Sequence, residues 1–428
     1  MKPVLKICNI KNIYEARSAG ELGIPFIGIH LVSDTDHKNI DLLKRIIVMI
    51  HEEFHETKTI LVTKEKNIQT LSELIDKLEC DGVQLHFKIQ EKLITLLKSR
   101  YGKRFIVFSV LTEEDSFVSQ AVIKRADYII LDKNYTGGTG KYISAESRNK
   151  IIQQLPHDKL LLAGGIDAKF IRQKALTLPV AGFDIQSAII NNKTTMFENI
   201  EYLKLQEVAR LLRCKPQEAI MPQVGYSTQH NEEISDYYNL ADFWHFDFFD
   251  KVLGEYTDHK NEIKRIRKIA LMNSHFTIQI HIFSNNTNYI SSIYNELYDL
   301  PVKHVRFFIH INNSIQPGIR FDFKLNIYPA IDVKDLLSDI PIDNLLVNKR
   351  LLLCLQSEKH QERATNAQIA ISMLLSLQPN IKITLDRSIT SQDLSRITQP
   401  IDSIVSGSYI RDYKFYGYRA LKRSTNNA

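Results

Sequence analysis

Short runs of β-branched, aliphatic and aromatic residues alternate along the whole chain with segments whose apolar positions recur at helical spacing. This is the pattern of successive βα units on a parallel sheet. In the first half the strand-like runs fall at 4–9, 26–30, 59–62, 82–85, 105–109, 128–131, 159–163 and 182–185. Eight strands in about 200 residues fit a compact (β/α)8 barrel. A helix-period stretch over 199–212, followed by Cys214, Lys215 and Pro216, separates them from a second series. That series runs at 219–224, 243–247, 277–281, 304–310, 321–327, 344–347 (extended through 351–355), 382–386 and 403–406. The expectation is α/β, two tandem (β/α)8 TIM barrels: 1–200 as the first, 201–216 as a helical linker, 217–428 as the second. A single doubly wound sheet with insertions is the alternative, but two similarly spaced sets of eight favour the tandem.

Length agrees, since 428 residues exceed what one hydrophobic core usually supports. With 44% hydrophobic and 24% charged residues, neither half reads as disordered. The longest apolar runs are strand-sized, and the start has neither a long apolar stretch nor a small-residue cleavage site, so the chain is expected in the cytoplasm, away from membranes. Cys8, Cys80, Cys214 and Cys354 show no CxxC spacing, which argues for reduced thiols. The net charge of +6 is spread without basic runs interleaved by aromatics, so no nucleic-acid partner is expected, while anionic small substrates suit it. Self-association into a homo-oligomer stays open.

In a barrel of this kind the chemistry gathers where strands end, at the C-terminal mouth. In the first series strand one ends KICN with Cys8, strand four ends QLH with Gln84 and His86, strand six ends LDKNYTGGTGK with Asp132 and a loop carrying Gly137, Gly138, Gly140 and Lys141, and strand seven ends AGG with Gly164 and Gly165. Singly, each has a plain structural explanation: a buried small thiol, a satisfied histidine, a turn. As an ordered set over residues 3 to 200 they resemble phosphoribosylanthranilate isomerase. That resemblance implies Cys8 as general base and Asp132 as general acid of an Amadori rearrangement, with no cofactor. It also implies a phosphate held by the glycine-rich loops and Ser187, with Gln84 and His86 on the substrate. Cys8 serves as a base only where its surroundings lower its pKa. Three positions depart from the family. Asn9 replaces a glycine, Gln186 a serine, and the second loop carries Asp34, Asp36 and His37 where an arginine usually grips the anthranilate carboxylate. An acidic loop repels that carboxylate, which points to a different amine.

In the second series, strand two reads FWHFDFFD, strand three IQIHIF and strand seven IKITLD. His245 and Asp247, two apart on one strand, share a face, and His281 and Asp386 end other strands, so the four suit Zn, Fe(II) or Mn. Asp250 reads as a loop cap and Trp244 as core. Over 218–412 this resembles ribulose-phosphate 3-epimerase, which implies the metal ligands His245, Asp247, His281 and Asp386, with Asp247 and Asp386 also acting as acid and base at C3 of a ketose phosphate. Gly407 and Ser408 keep the expected phosphate element, whereas Arg387 and Ser388 replace a glycine pair and LQSEKHQER replaces a glycine-rich loop, so Arg387 becomes a candidate phosphate ligand. Together the two resemblances imply a bifunctional isomerase and epimerase acting on a phosphorylated sugar with an N-linked amine. Two unlinked housekeeping activities, or one barrel kept as a ligand-binding or scaffolding module, are the alternatives.

Overall fold

A computed structural model describes residues 3–32, 39–113, 115, 119–135, 143–174, 177–190, 200–217, 221–227, 237, 240–250, 259–311, 325–338, 349–356, 360–387 and 389–424. The first sheet comprises β1 (Val4–Ile7), β2 (Phe26–Leu31), β3 (Lys58–Thr63), β4 (Gly82–Leu85), β5 (Ile106–Thr112), β6 (Tyr128–Asp132), β7 (Leu160–Leu162) and β8 (Gly182–Ile185). All neighbours are parallel, and β8 returns to β1 with Val4 opposite Gly182, closing the barrel. Its helices are α1 (Ile13–Glu21), α2 (Ile40–Glu53), α3 (Ile68–Leu78), α4 (Glu91–Tyr101), α5 (Gln120–Arg125), α6 (Ala145–Ile152), α7 (Ala168–Lys174) and α8 (Tyr202–Leu211).

The second sheet comprises β9 (Gln223–Ser227), β10 (Phe243–Phe249), β11 (Thr277–Phe283), β12 (His304–Ile311), β13 (Ile327–Asp332), β14 (Arg350–Cys354), β15 (Lys382–Asp386) and β16 (Ser403–Val405). It too is parallel and closed, β16 pairing with β9. The chain is therefore two tandem (β/α)8 barrels, dividing between Ile220 and Met221. None of the described helices is long and apolar enough to cross a membrane.

Residues 201–216, expected as a linker, hold the last helix of the first barrel. The stripe of Leu205, Val208, Ala209 and Leu212 recurs at helical spacing and joins the core that contains Leu5 and Ile13. The turn before it is anchored where the Ile200 N–H donates to the buried Glu15 carboxylate at 3.1 Å. Two strands are also displaced from their expected positions. β9 starts at Gln223 and runs through Gly225, a residue that reads as a turn; a Cβ there would lie 2.1 Å from the Phe243 ring. β13 begins at Ile327 and contains Pro329, which lacks the N–H a central strand normally uses. Of the two segments offered for the sixth strand, 351–355 matches β14, and 344–347 lies outside the described residues.

Strand parity places the chemistry. Alternate residues of each strand face the barrel axis. In the first barrel one interior layer is aromatic: Phe108 stacks on Tyr128 at 5.0 Å and meets Phe26 edge-on at 5.4 Å. Toward the mouth the same inward register presents Lys6, Cys8, Gln84 and Asp184, with Lys6 directly opposite Asp184 on the closing pair of strands. Gly28 on β2 makes room for this layer, because a Cβ there would stand 2.9 Å from the Cys8 sulfur and 3.2 Å from Lys6 Nζ. Gly28→Ala is accordingly expected to lower the stability of the first barrel by about 1–3 kcal/mol, read as an earlier chemical unfolding transition than in the unsubstituted protein; an unchanged transition would mean the layer has slack.

Candidate functional site

At the first mouth Lys6 is fully buried, and its ammonium donates to the Cys8 sulfur at 2.5 Å and to Asp184 Oδ1 at 3.1 Å. The Cys8 thiol lies 3.4 Å from Asp184 Oδ2 and 4.0 Å from Gln84 Oε1. Gln84 Nε2 donates to His86 Nδ1 at 3.3 Å. Burial, reinforced by the Lys64 and Lys6 charges against a smaller opposing effect of Asp184, lowers the His86 pKa to about 4. The ring is therefore neutral with its proton on Nε2, and that buried N–H has no hydrogen-bond partner among the described residues, which leaves it able to donate to a ligand.

Burial raises the Cys8 pKa, Asp184 adds to the rise, and Lys6 opposes both, leaving the thiol protonated. The lowered pKa expected of a cysteine base is thus not present in the ligand-free site. Lys6 is the group able to bring it down. Burial alone would lower the Lys6 pKa, but the Asp184 carboxylate raises it, with a further rise from Cys8 only where that sulfur is a thiolate. Asp132 ends β6, where burial raises its carboxyl to about 6 against the Lys133 N–H, with the Asp184 charge raising and the Lys6 charge lowering it further. Asp132 therefore senses the same two charges that flank Cys8.

Of the loops expected to hold a phosphate, two lie among the described residues. Gly164 and Gly165 follow β7 with φ of 75° and 68°, conformations that side chains rarely adopt. Ser187 opens a short 3-10 turn after β8, and Gln186 precedes it. Gly137, Gly138, Gly140 and Lys141, and the loop with Asp34, Asp36 and His37, lie outside the described residues. Asn9 takes φ 67° where the family has glycine, a conformation that asparagine tolerates better than most residues.

At the second mouth His245, Asp247, His281 and Asp386 come together, each offering one donor atom within 4.8 Å of the others. His245 Nε2 lies 3.2 Å from Asp247 Oδ1 and 3.6 Å from Asp386 Oδ2. His281 Nδ1 is buried, 3.3 Å from Asp247 Oδ1 and 3.5 Å from Asp386 Oδ2, with no well-aligned hydrogen bond among the described residues. Burial pulls the His245 pKa down, but the Asp386 and Asp247 carboxylates raise it to about 9. The buried Asp386 carboxylate, the part-exposed Asp247 carboxylate and a His281 Nδ1 turned toward both fit a divalent cation. The donor set of two imidazoles and two carboxylates suits Zn, Fe(II) or Mn.

Around this set, Ser284 donates to Asp250 Oδ2 at 2.7 Å, tying the loop after β10 as expected. Trp244 is wholly buried, edge-on to Tyr226 and Phe276, and belongs to the core. Gly407 and Ser408 mark the start of the helix Ser408–Ser424, where backbone N–H groups are available to an anion. Arg387 takes φ 79°, a costly conformation for a long side chain. Its guanidinium folds back over the Phe283 ring, 5.6 Å from the centroid, and 3.9 Å from Asp332 Oδ1, with part of the side chain exposed. Sequence reasoning assigned no role to Lys6, Asp184, His310, Asp332 or Gln356. Lys6 and Asp184 were signalled by parity, lying two before Cys8 and opposite Lys6; His310 was signalled by its place at the end of the fourth strand.

Comparison with known proteins bears on the first barrel. Residues 6–192 match the family model for N-(5'phosphoribosyl)anthranilate (PRA) isomerase. The N-(5'-phosphoribosyl)anthranilate isomerase of Leptospira interrogans is 25% identical over 192 residues, covering 44% of this chain and 86% of that protein. Its counterpart in Bacillus cereus is 27% identical over 191 residues, covering 43% and 88%. The crystal structure of phosphoribosyl anthranilate isomerase from Thermus thermophilus superposes with a TM-score of 0.41 at 17% identity, over 49% of this chain and 98% of that one. Residues 6–192 are thus similar to PRA isomerases, and residues 221–428 lie beyond the family match.

The Asp132 carboxyl is expected to titrate near pH 6 by carbon-13 NMR of the labelled side chain, and Asp184→Asn is expected to move the midpoint down by removing a neighbouring negative charge. A midpoint near 4 in both proteins would contradict a buried Asp132 beside the Asp184 charge.

Proposed function

We propose that this chain is a bifunctional isomerase of sugar phosphates: an Amadori-type aldose–ketose isomerase in the first barrel and a metal-dependent C3 epimerase of a ketose phosphate in the second. The observation that carries the first half is the pairing of Asp132, an acid held to about pH 6, with the Lys6–Cys8–Asp184 cluster in a PRA isomerase domain. An Amadori rearrangement needs one proton delivered and one removed at the neighbouring carbon. Asp132 delivers the first and Cys8 takes the second. A substrate hydroxyl that engages Asp184 weakens its push on the thiol, and the Lys6 ammonium then favours the thiolate. His86 donates its Nε2–H to the sugar, and the loops with Gly164, Gly165 and Ser187 receive the phosphate. No cofactor enters this half. The amine is not anthranilate on this reading, because the sequence of the second loop has Asp34, Asp36 and His37 in place of the arginine expected for its carboxylate.

The second half rests on the four-donor set and on the spacing of its residues along β10, β11 and β15. A divalent ion held there supplies the charge that stabilises the anion left when the C3 proton departs. Asp247 and Asp386 exchange that proton from their two positions around the substrate, His245 and His281 complete the ligand set, and Gly407, Ser408 and the exposed part of Arg387 take the phosphate. The product of the first reaction is an aminated ketose phosphate, so its chemistry suits the second.

The test uses the full-length protein with N-linked phosphoribosyl amines and with ribulose 5-phosphate, followed by NMR for ketose formation and for deuterium uptake at C3. Cys8→Ala and Asp132→Asn are expected to reduce ketose formation by about 10²–10⁴-fold while leaving C3 exchange intact, and Asp247→Asn is expected to abolish both C3 exchange and bound metal by elemental analysis. Unchanged spectra with both substrates would remove the proposal. Complementation of a tryptophan auxotroph is expected to fail.

A further inference from the structure

The two ring nitrogens of His281 face different surroundings. Nδ1 is buried and looks into the carboxylate pair, 3.3 Å from Asp247 and 3.5 Å from Asp386. Nε2 lies 3.2 Å from Nδ1 of His310, which follows on the next strand. His310 Nε2 in turn lies 3.7 Å from Asp332 Oδ2, and Gln356 Nε2 donates to that same oxygen at 2.5 Å. Phe283 packs on both imidazoles, with centroids 3.9 Å from His281 and 4.6 Å from His310, and so restrains both ring planes.

Only one placement of protons satisfies this chain. An imidazole that ligates a cation through Nδ1 must keep its lone pair there and carry its proton on Nε2. That proton points at His310, which must then accept through Nδ1 and carry its own proton on Nε2, facing the Asp332 carboxylate. Asp332 remains an anion despite its burial, because His310, Arg387 and Lys334 hold its pKa below the usual range. We propose that His310 and Asp332 are positioning residues for a cation at the second mouth: a His281–His310–Asp332 relay fixes the tautomer and ring plane of His281 so that Nδ1 faces the ligand pocket. This rests on the metal-dependent reading of the second barrel. Carboxylate partners of metal-bound histidines commonly act in this way, and in this chain an additional imidazole stands between ligand and carboxylate.

His281, His310 and Cys354 also have donor atoms close enough to share an ion. That set is the weaker host, because the Arg387 guanidinium brings a positive charge close to the Cys354 sulfur, whereas the set containing Asp247 and Asp386 brings two carboxylates.

The relay is tested by titrating the metal-free full-length protein with cobalt(II) and zinc(II), following the cobalt absorption bands and competition by zinc. His310→Ala and Asp332→Asn are each expected to weaken binding by about 10–100-fold and to alter the cobalt bands at saturation, with the double variant close to the weaker single one because both act through His281. Circular dichroism checks that each variant folds, and Asp332→Asn, which keeps its shape, decides the matter if His310→Ala does not. Cys354→Ser is expected to leave affinity unchanged. If Asp247→Asn abolishes binding while His310→Ala and Asp332→Asn leave it intact, the relay is overturned and the metal reading survives. Retention of cobalt by Asp247→Asn overturns both, and loss of cobalt on Cys354→Ser overturns the relay by moving the ion to the other set.

Discussion

A charge buried inside a closed barrel is tolerated only where neighbouring groups replace the water it has lost. Both mouths are organised around that constraint. In the first, the Lys6 ammonium is fully enclosed and is met by Asp184 and Cys8. In the second, two carboxylates converge on His245 and His281, and a third, Asp332, is met by His310, Gln356 and Arg387. The polarity of the two arrangements is opposite. The first confines a cation and suits the stabilisation of a thiolate; the second concentrates negative charge and suits a cation from solution.

Parity does the assembling in both cases. Residues two apart return to the same side of a strand, so Lys6 with Cys8, Gln84 with His86 and His245 with Asp247 reach the axis from three strands without any long-range arrangement. The sites also share a local cost. The chain takes a left-handed backbone just past the strand in each, at Asn9 after β1 and at Arg387 after β15, where glycine would be cheaper. Arg387 accounts for its cost through what its side chain reaches, Phe283, Asp332 and Cys354.

Most of the architecture was legible because βα alternation is a strong signal: all eight strands of the first sheet fall where the pattern put them, within a few residues. The misplacements have identifiable causes. Pro329 and Gly225 argue against strand on local grounds, yet β13 accepts a residue without an N–H, and β9 needs a missing Cβ to admit the Phe243 ring. Placing β13 too early also hid Asp332, which then had no strand end to occupy. The quartet of His245, Asp247, His281 and Asp386 was visible because its spacing and residue types are unusual together. Lys6 was not, since a lysine two residues before a cysteine reads as an exposed strand residue until closure of the sheet puts Asp184 opposite it. The Cys8 pKa was beyond reach from sequence, because it depends on the balance of Lys6 against Asp184 and burial.

The pairing of β1 with β8 has a consequence for biosynthesis. β1 is made first but finds one of its two partners only when residues 182–185 have been synthesised, so for most of the translation of this half its outer edge has no backbone partner. Once β8 arrives, every strand of the first sheet has two neighbours and no edge is left to recruit a strand from another chain. Sheet closure in the first half thus needs residues 4–7 and 182–185 together, so a chain cut short of β8 would keep β1 as an open edge.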